Sequence, residues 1–154
     1  DKDHHDHFLN GAIFEVYDKT ADAYVTTLAS GQLMITGEEK DEEYEISKKE
    51  DFSKIIKTVK TDENKQIVLD IDDDIYYSRK VGDDKVTKHV VKDGKAVLAD
   101  AIYGHEYEFK EIKAPTSYQL ADKSKAYKVE ADEETDTIIY YFENARIVVP
   151  NTGV

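Results

Sequence analysis

The chain has no cysteine and no tryptophan, and only one methionine among its 154 residues. Without cysteine, neither a disulfide framework nor a thiolate metal site can form. An extracellular chain of this kind therefore needs another way to resist unfolding. No run approaches the ~18 apolar residues of a membrane helix, and no signal peptide is present, so the sequence reads as an excised mature fragment with no membrane partner of its own. Basic residues are scarce, 21 against 34 acidic ones. The resulting net charge of -13 repels a phosphate backbone and an anionic membrane alike, which argues against nucleic acid as a partner. The length suits one domain, or one and an appendage, with a core of useful size. Its aromatics are mostly tyrosine, 11 against 5 phenylalanines.

The most informative stretch runs from Tyr107 to Pro115 and on to Tyr118. With the period of a strand, Tyr107, Phe109 and Glu111 point to one side, and Glu108, Lys110 and Ile112 to the other. A carboxylate thus stands in line with two large aromatics. Burying an ionised carboxylate without a partner is costly, so such a glutamate is neutral, paired or engaged in chemistry. The alternative is that Glu111 lies where the strand leaves the core and meets water. Ala114-Pro115 ends the strand.

The N-terminal Asp1-Lys2-Asp3-His4-His5-Asp6-His7 contains metal-ligand types, but its spacing fits no defined site, and no metal is expected. Ala12 to Tyr17 reads as a strand with Ala12, Phe14 and Val16 inward. Further β segments are expected at 24–28 and 32–37. Ser47-Lys48-Lys49-Glu50 has the spacing of a capping box, and Phe52, Ile55, Ile56 and Val59 follow at i, i+3, i+4 and i+7, so a short helix is expected near 47–60. Two strands flank Asp72-Asp73-Asp74, which lacks the glycine and distal glutamate of a calcium loop and reads as a solvated turn. Residues 86–91 and 96–98 form a hairpin pattern around Asp93-Gly94, with His89 structural. In the last strand Ile138, Tyr140, Phe142 and Asn144 share a face, so an amide ends this apolar row as Glu111 ends the other. Asn144 at a strand end also suits a plain turn cap. Many short strands with turn signals between them indicate a β-sandwich.

Leu9 to Asp18, Gly94 to Leu98, Tyr103-Gly104, Tyr107 to Pro115, Tyr118 and Phe142-Glu143-Asn144 together resemble the CnaB-type, reverse-immunoglobulin-like domains of Gram-positive pilins and cell-wall adhesins. The block Tyr107 to Pro115 is similar to that family's E-box. The resemblance implies a mainly β, Ig-like sandwich over residues 1–147, with an insertion at about 19–91 that carries the helix. It also implies an internal isopeptide bond between a first-strand lysine and a last-strand asparagine, promoted by the E-box glutamate. Glu111 and Asn144 stand at the matching positions. The matching lysine is expected just ahead of Asp1, with Lys2 as the fallback, so this chain is not expected to close the bond by itself.

Val149-Pro150-Asn151-Thr152-Gly153 resembles the Leu-Pro-x-Thr-Gly sorting motif of sortase substrates, with valine for leucine, and sets residues 148–154 apart as a tail. Cleavage is then expected between Thr152 and Gly153, with the Thr152 acyl group passed to an amine. Taken together, the expectation is a structural cell-surface subunit, the C-terminal domain of a pilin or wall-anchored adhesin, located on the cell wall or pilus. Its expected partners are sortase, other pilus subunits or peptidoglycan, and a host ligand. The alternative is a ligand-binding adhesin module that uses the insertion as its recognition surface. No cofactor is expected, and no enzyme activity beyond a single autocatalytic turnover, because no nucleophile, base and oxyanion constellation occurs elsewhere.

Overall fold

A computed structural model describes residues 10–115, 126–130 and 138–140 of the chain. The described residues are mainly β, with strands at Ile13–Asp18 (β1), Ala23–Ala29 (β2), Gln32–Thr36 (β3), Glu43–Ser47 (β4), Ile55–Lys60 (β5), Gln66–Asp70 (β6), Asp74–Lys80 (β7), Thr87–Val91 (β8), Ala96–Leu98 (β9), Glu106–Lys113 (β10), Ala126–Glu130 (β11) and Ile138–Tyr140 (β12). Every pairing between them is antiparallel.

Two cores form, each between facing sheets. The first sheet has the order β11-β10-β1-β2, and β9, which pairs with β12, contributes to its core. Because side chains alternate along a strand, Ala12, Phe14 and Val16 fall on one face beside Tyr107 and Phe109, and Ala96 and Leu98 of β9 close over them. Phe14 and Phe109 meet edge to face with ring centres 6.5 Å apart. The second core lies between β3-β6 and the four-stranded sheet β5-β4-β7-β8. Leu33, Ile35, Ile46, Ile67, Tyr76 and Val91 fill it. Residues 32–91 thus build a sandwich of their own, whereas β2, within the 19–91 segment, pairs along β1.

The two sandwiches are joined at a pair of tight turns. Ser30-Gly31 connects β2 to β3, and Lys92–Lys95 connects β8 to β9. Gly31 N–H donates to Lys95 O at 3.1 Å, which ties one turn to the other. Gly94 has the positive φ of 71° that an Asp-Gly turn supplies. The hairpin expected across residues 86–98 is therefore only its turn. Beyond it the strands part, β8 pairing with β7 and β9 with β12.

The helix expected near 47–60 does not form. Ser47 ends β4 fully buried, and its hydroxyl donates to Lys49 O and Lys54 O, at 2.8 and 3.0 Å, while accepting from Lys49 N–H. The hydroxyl of the apparent capping box stitches a loop instead. Phe52 has φ of 58°, which a right-handed helix excludes, and its ring stacks under the Arg79 guanidinium at 4.1 Å. Ile55, Ile56, Thr58 and Val59 then make a β-branched run that lies along β4 as a strand.

The acidic group ahead of β7 acts as the turn that its sequence suggested. Asp74 pairs with Lys48 at 2.7 Å, Asp73 accepts the Asp93 N–H, and the Tyr76 hydroxyl donates to Asp72 O.

Candidate functional site

Glu111 lies inside the first sandwich. Along β10 burial alternates, with Tyr107, Phe109 and Glu111 enclosed and Glu106, Glu108 and Lys110 half-buried. Glu111 is only 3% exposed, and Ile112 beyond it is 43% exposed, so the strand leaves the core one residue after the carboxyl. The reading in which Glu111 meets water does not hold. Across the ladder Glu111 faces Phe14 of β1, and Phe109 faces Val16. The carboxyl is thus set at the end of an apolar row formed by Phe14, Phe109 and Ala12, each fully buried. Tyr107 is held at the other end of that row, where its hydroxyl accepts the Ile102 N–H at 2.8 Å.

β9, which closes over this row, is paired with β12. β12 runs antiparallel to it, from Ile138 opposite Leu98 to Tyr140 opposite Ala96. Its direction is therefore toward Lys95. Lys95 O is bonded to Gly31, Ser30 bonds the backbone of Ala12, and Ala12 precedes the β1 strand that faces Glu111. The forward end of β12 and Glu111 thus belong to the same end of the sandwich. Asn144, Lys2, the N-terminal His/Asp cluster and the motif Val149, Pro150, Asn151, Thr152 and Gly153 lie outside the described residues.

Three further features carry polar groups that the sequence left without a partner. Asp18 continues the inward row of β1 and is 5% exposed. Its carboxylate meets His105 Nδ1 at 2.6 Å and accepts the Ala21 N–H at 2.9 Å. Burial alone would raise its pKa, but those hydrogen bonds and the attraction of His105 outweigh it and hold the carboxyl below its ordinary value. The inward period of β1 marks Asp18 as buried; its partner 87 positions away leaves no local sign.

A groove of about 580 Å³ opens between β2 and β9 on one side and β3 and β8 on the other. Leu28, Leu33, Val91 and Leu98 supply its apolar walls. Ser78 Oγ and His89 Nε2 meet at its floor, 2.7 Å apart. Burial brings the His89 pKa down to about 4, so the ring is neutral near pH 7. Alternation along β7 puts Ser78 inward, and the period of a strand sets His89 on the same face as the buried Val91, which was the available signal. The third feature is Asn10, whose side chain bridges to the Lys92–Lys95 turn: it accepts the Gly94 N–H at 2.7 Å and donates to Asp93 Oδ1 at 3.3 Å.

The model of one protein family, the SpaA prealbumin-like fold domain, matches residues 1–146. The chain belongs to that family. SpaA domains occur in Gram-positive pilins and adhesins and are typically extracellular, and the sandwich described above fits a pilin or surface-adhesin subunit. Comparisons with curated proteins and with solved structures give no match.

Proposed function

We propose that this SpaA domain is the C-terminal, load-bearing domain of a sortase-anchored pilin or wall adhesin, of the CnaB type, closed in the full-length protein by a Lys–Asn isopeptide bond. The observation that carries this reading is the buried carboxyl of Glu111, at the end of an apolar row and at the end of the sandwich toward which β12 runs. Water is scarce there, so a lysine amine in contact is driven to its neutral, nucleophilic form. The amine attacks the carboxamide carbon of Asn144. Glu111 hydrogen-bonds the carboxamide oxygen and relays a proton from the amine to the leaving nitrogen, which departs as ammonia. The lysine is one ahead of Asp1, with Lys2 as the fallback. The link between the first and last strands acts like a long-loop disulfide, on the order of 4 kcal/mol on the chain-entropy model. In a chain with no cysteine it takes that role. Sortase acts on Val149 to Gly153, cleaving after Thr152 and passing the acyl group to an amine on another subunit or on the wall.

The test is intact mass and peptide mapping of the full-length protein. A deficit of one ammonia, mapped to a cross-link at Asn144 and abolished by Glu111→Ala, is the expected result. A full-length protein at its uncorrected mass, with Asn144 in a linear peptide, overturns it.

The groove favours a second reading, in which a host ligand is held by the 19–91 segment. Its volume lies in the range of a ligand cleft, and charged residues such as Glu42, Arg79, Lys80 and Lys88 line it beside the apolar Leu28, Leu33, Val91 and Leu98. Thr26 lines one wall, so Thr26→Trp fills the groove. Loss of binding to host extracellular proteins at unchanged thermal stability supports this reading, and unchanged binding removes it.

A further inference from the structure

Asn10 takes no part in the chemistry proposed for Glu111, yet it fastens the joint between the two sandwiches. Its carboxamide oxygen accepts the Gly94 N–H and its nitrogen donates to Asp93, both in the turn that leads from β8 to β9. The other turn packs against the same carboxamide: a Cβ on Gly31 would overlap it, and Gly31 has φ of 65°. One side chain thus touches both connections through which the chain passes from one sandwich to the other.

Asn10 is followed by Gly11. An Asn-Gly pair is the dipeptide most open to succinimide formation, because the glycine nitrogen carries no neighbouring side chain to obstruct its approach. We propose that Asn10 is a deamidation site gated by this joint, so that conversion of Asn10 records, irreversibly, that the joint has opened. In the reaction Gly11 N attacks Asn10 Cγ and forms the N–Cγ bond of a succinimide. The Cγ–Nδ2 bond breaks, and Nδ2 leaves as ammonia with the proton from Gly11 N. Water then opens the ring, giving aspartate when it adds at Cγ and isoaspartate when it adds at the backbone carbonyl. No co-reactant beyond water is needed.

The closed joint opposes each step. The nucleophile is withheld, because Gly11 N–H donates to Ser30 O at 2.9 Å. The electrophile is held by Gly94 and Asp93, so Cγ cannot rotate onto the nitrogen without breaking both bonds. The aspartate carboxylate formed from Asn10 keeps the Gly94 donor but turns an oxygen toward the Asp93 carboxylate, where the amide had donated. Like charges at that distance repel, so the joint closes less tightly after the reaction than before it.

The experiment uses the chain as described, incubated at pH 8 under native conditions and in urea, with Asn10 conversion followed by peptide mapping. Native conversion is expected to be about tenfold slower or more, because several hydrogen bonds must open first. Equal rates in the two conditions overturn the gating, and no conversion in urea overturns the site. The consequence is tested with Asn10→Asp alone and with Asp93→Asn. Asn10→Asp is expected to lower the thermal midpoint, and the double variant Asn10→Asp with Asp93→Asn to restore it, since the swapped pair can again hydrogen-bond. A single variant as stable as the parent, or a double variant no better than the single, overturns the clasp.

Discussion

Glu111→Leu is expected to make this chain less stable. The carboxyl is 3% exposed and borders Phe14 and Phe109, both fully buried. It takes part in a polar contact inside the sandwich. Removing one member of a buried polar contact leaves the other desolvated, at a cost of roughly 1–3 kcal/mol. Leucine is close to glutamate in size, so no cavity adds to that loss. For a chain of this length the loss is about 2–12 °C in the thermal midpoint. The assay is urea denaturation with calorimetry on the chain and on its Glu111→Gln counterpart. Glutamine keeps the shape and the polarity, so it should shift stability by less than leucine does. A Glu111→Leu chain as stable as the parent, or more so, refutes the reasoning, because the contact of the carboxyl would then contribute nothing to the fold.

Other consequences follow from the two cores and from the titration of His89 and Asp18. Phe109→Ala, at the centre of the first core, should cost ~3–5 kcal/mol, and Phe14→Ala a similar amount; combined, they should cost less than the sum because the rings share a contact, all read from urea midpoints. The His89 pKa lies at about 4 against an ordinary 6.5, so the unfolded chain takes up that proton first. Stability should therefore be fully present above about pH 6.5 and fall toward pH 4, by up to about 3 kcal/mol, and His89→Gln should flatten that part of the profile. Asp18 shows the carboxylate case: its folded pKa lies below the unfolded value near 3.8, so its contribution is present above that value and is lost as pH falls through the folded pKa. Asp18→Asn should be less stable than the parent at neutral pH and converge on it once pH has fallen through the folded pKa, in an acid titration followed by tyrosine fluorescence.

Period-two patterning made the first core legible. Ala12, Phe14 and Val16 on one strand and Tyr107, Phe109 and Glu111 on another could be assigned inward because each row is local and uninterrupted. The same logic fails when two periods fit one stretch. Phe52, Ile55, Ile56 and Val59 match a helix stripe by position, but a left-handed Phe52 and four β-branched residues nearby decide for a turn and a strand. Whether Lys92–Lys95 closes a hairpin was also beyond local reading, because strand partners are chosen by the sheets. β8 finds β7 and β9 finds β12, so a correct turn joined two different sandwiches. The clasp was hidden for a similar reason: Asn10 and its partners lie 83 and 84 positions apart.

The pairing of β1 sets how the first sheet would resist a pull on its strands. β1 is paired along its whole length on both sides, to β10 and to β2, with one register shift in each ladder, at Ile13/Phe14 against β10 and at Val16/Tyr17 against β2. A pull along its axis therefore shears two ladders at once, whereas the same pull on an edge strand shears one. Glu111 lies across the ladder from Phe14 of this doubly held strand, so the bond proposed for that site would be anchored in the most firmly paired part of the first sheet.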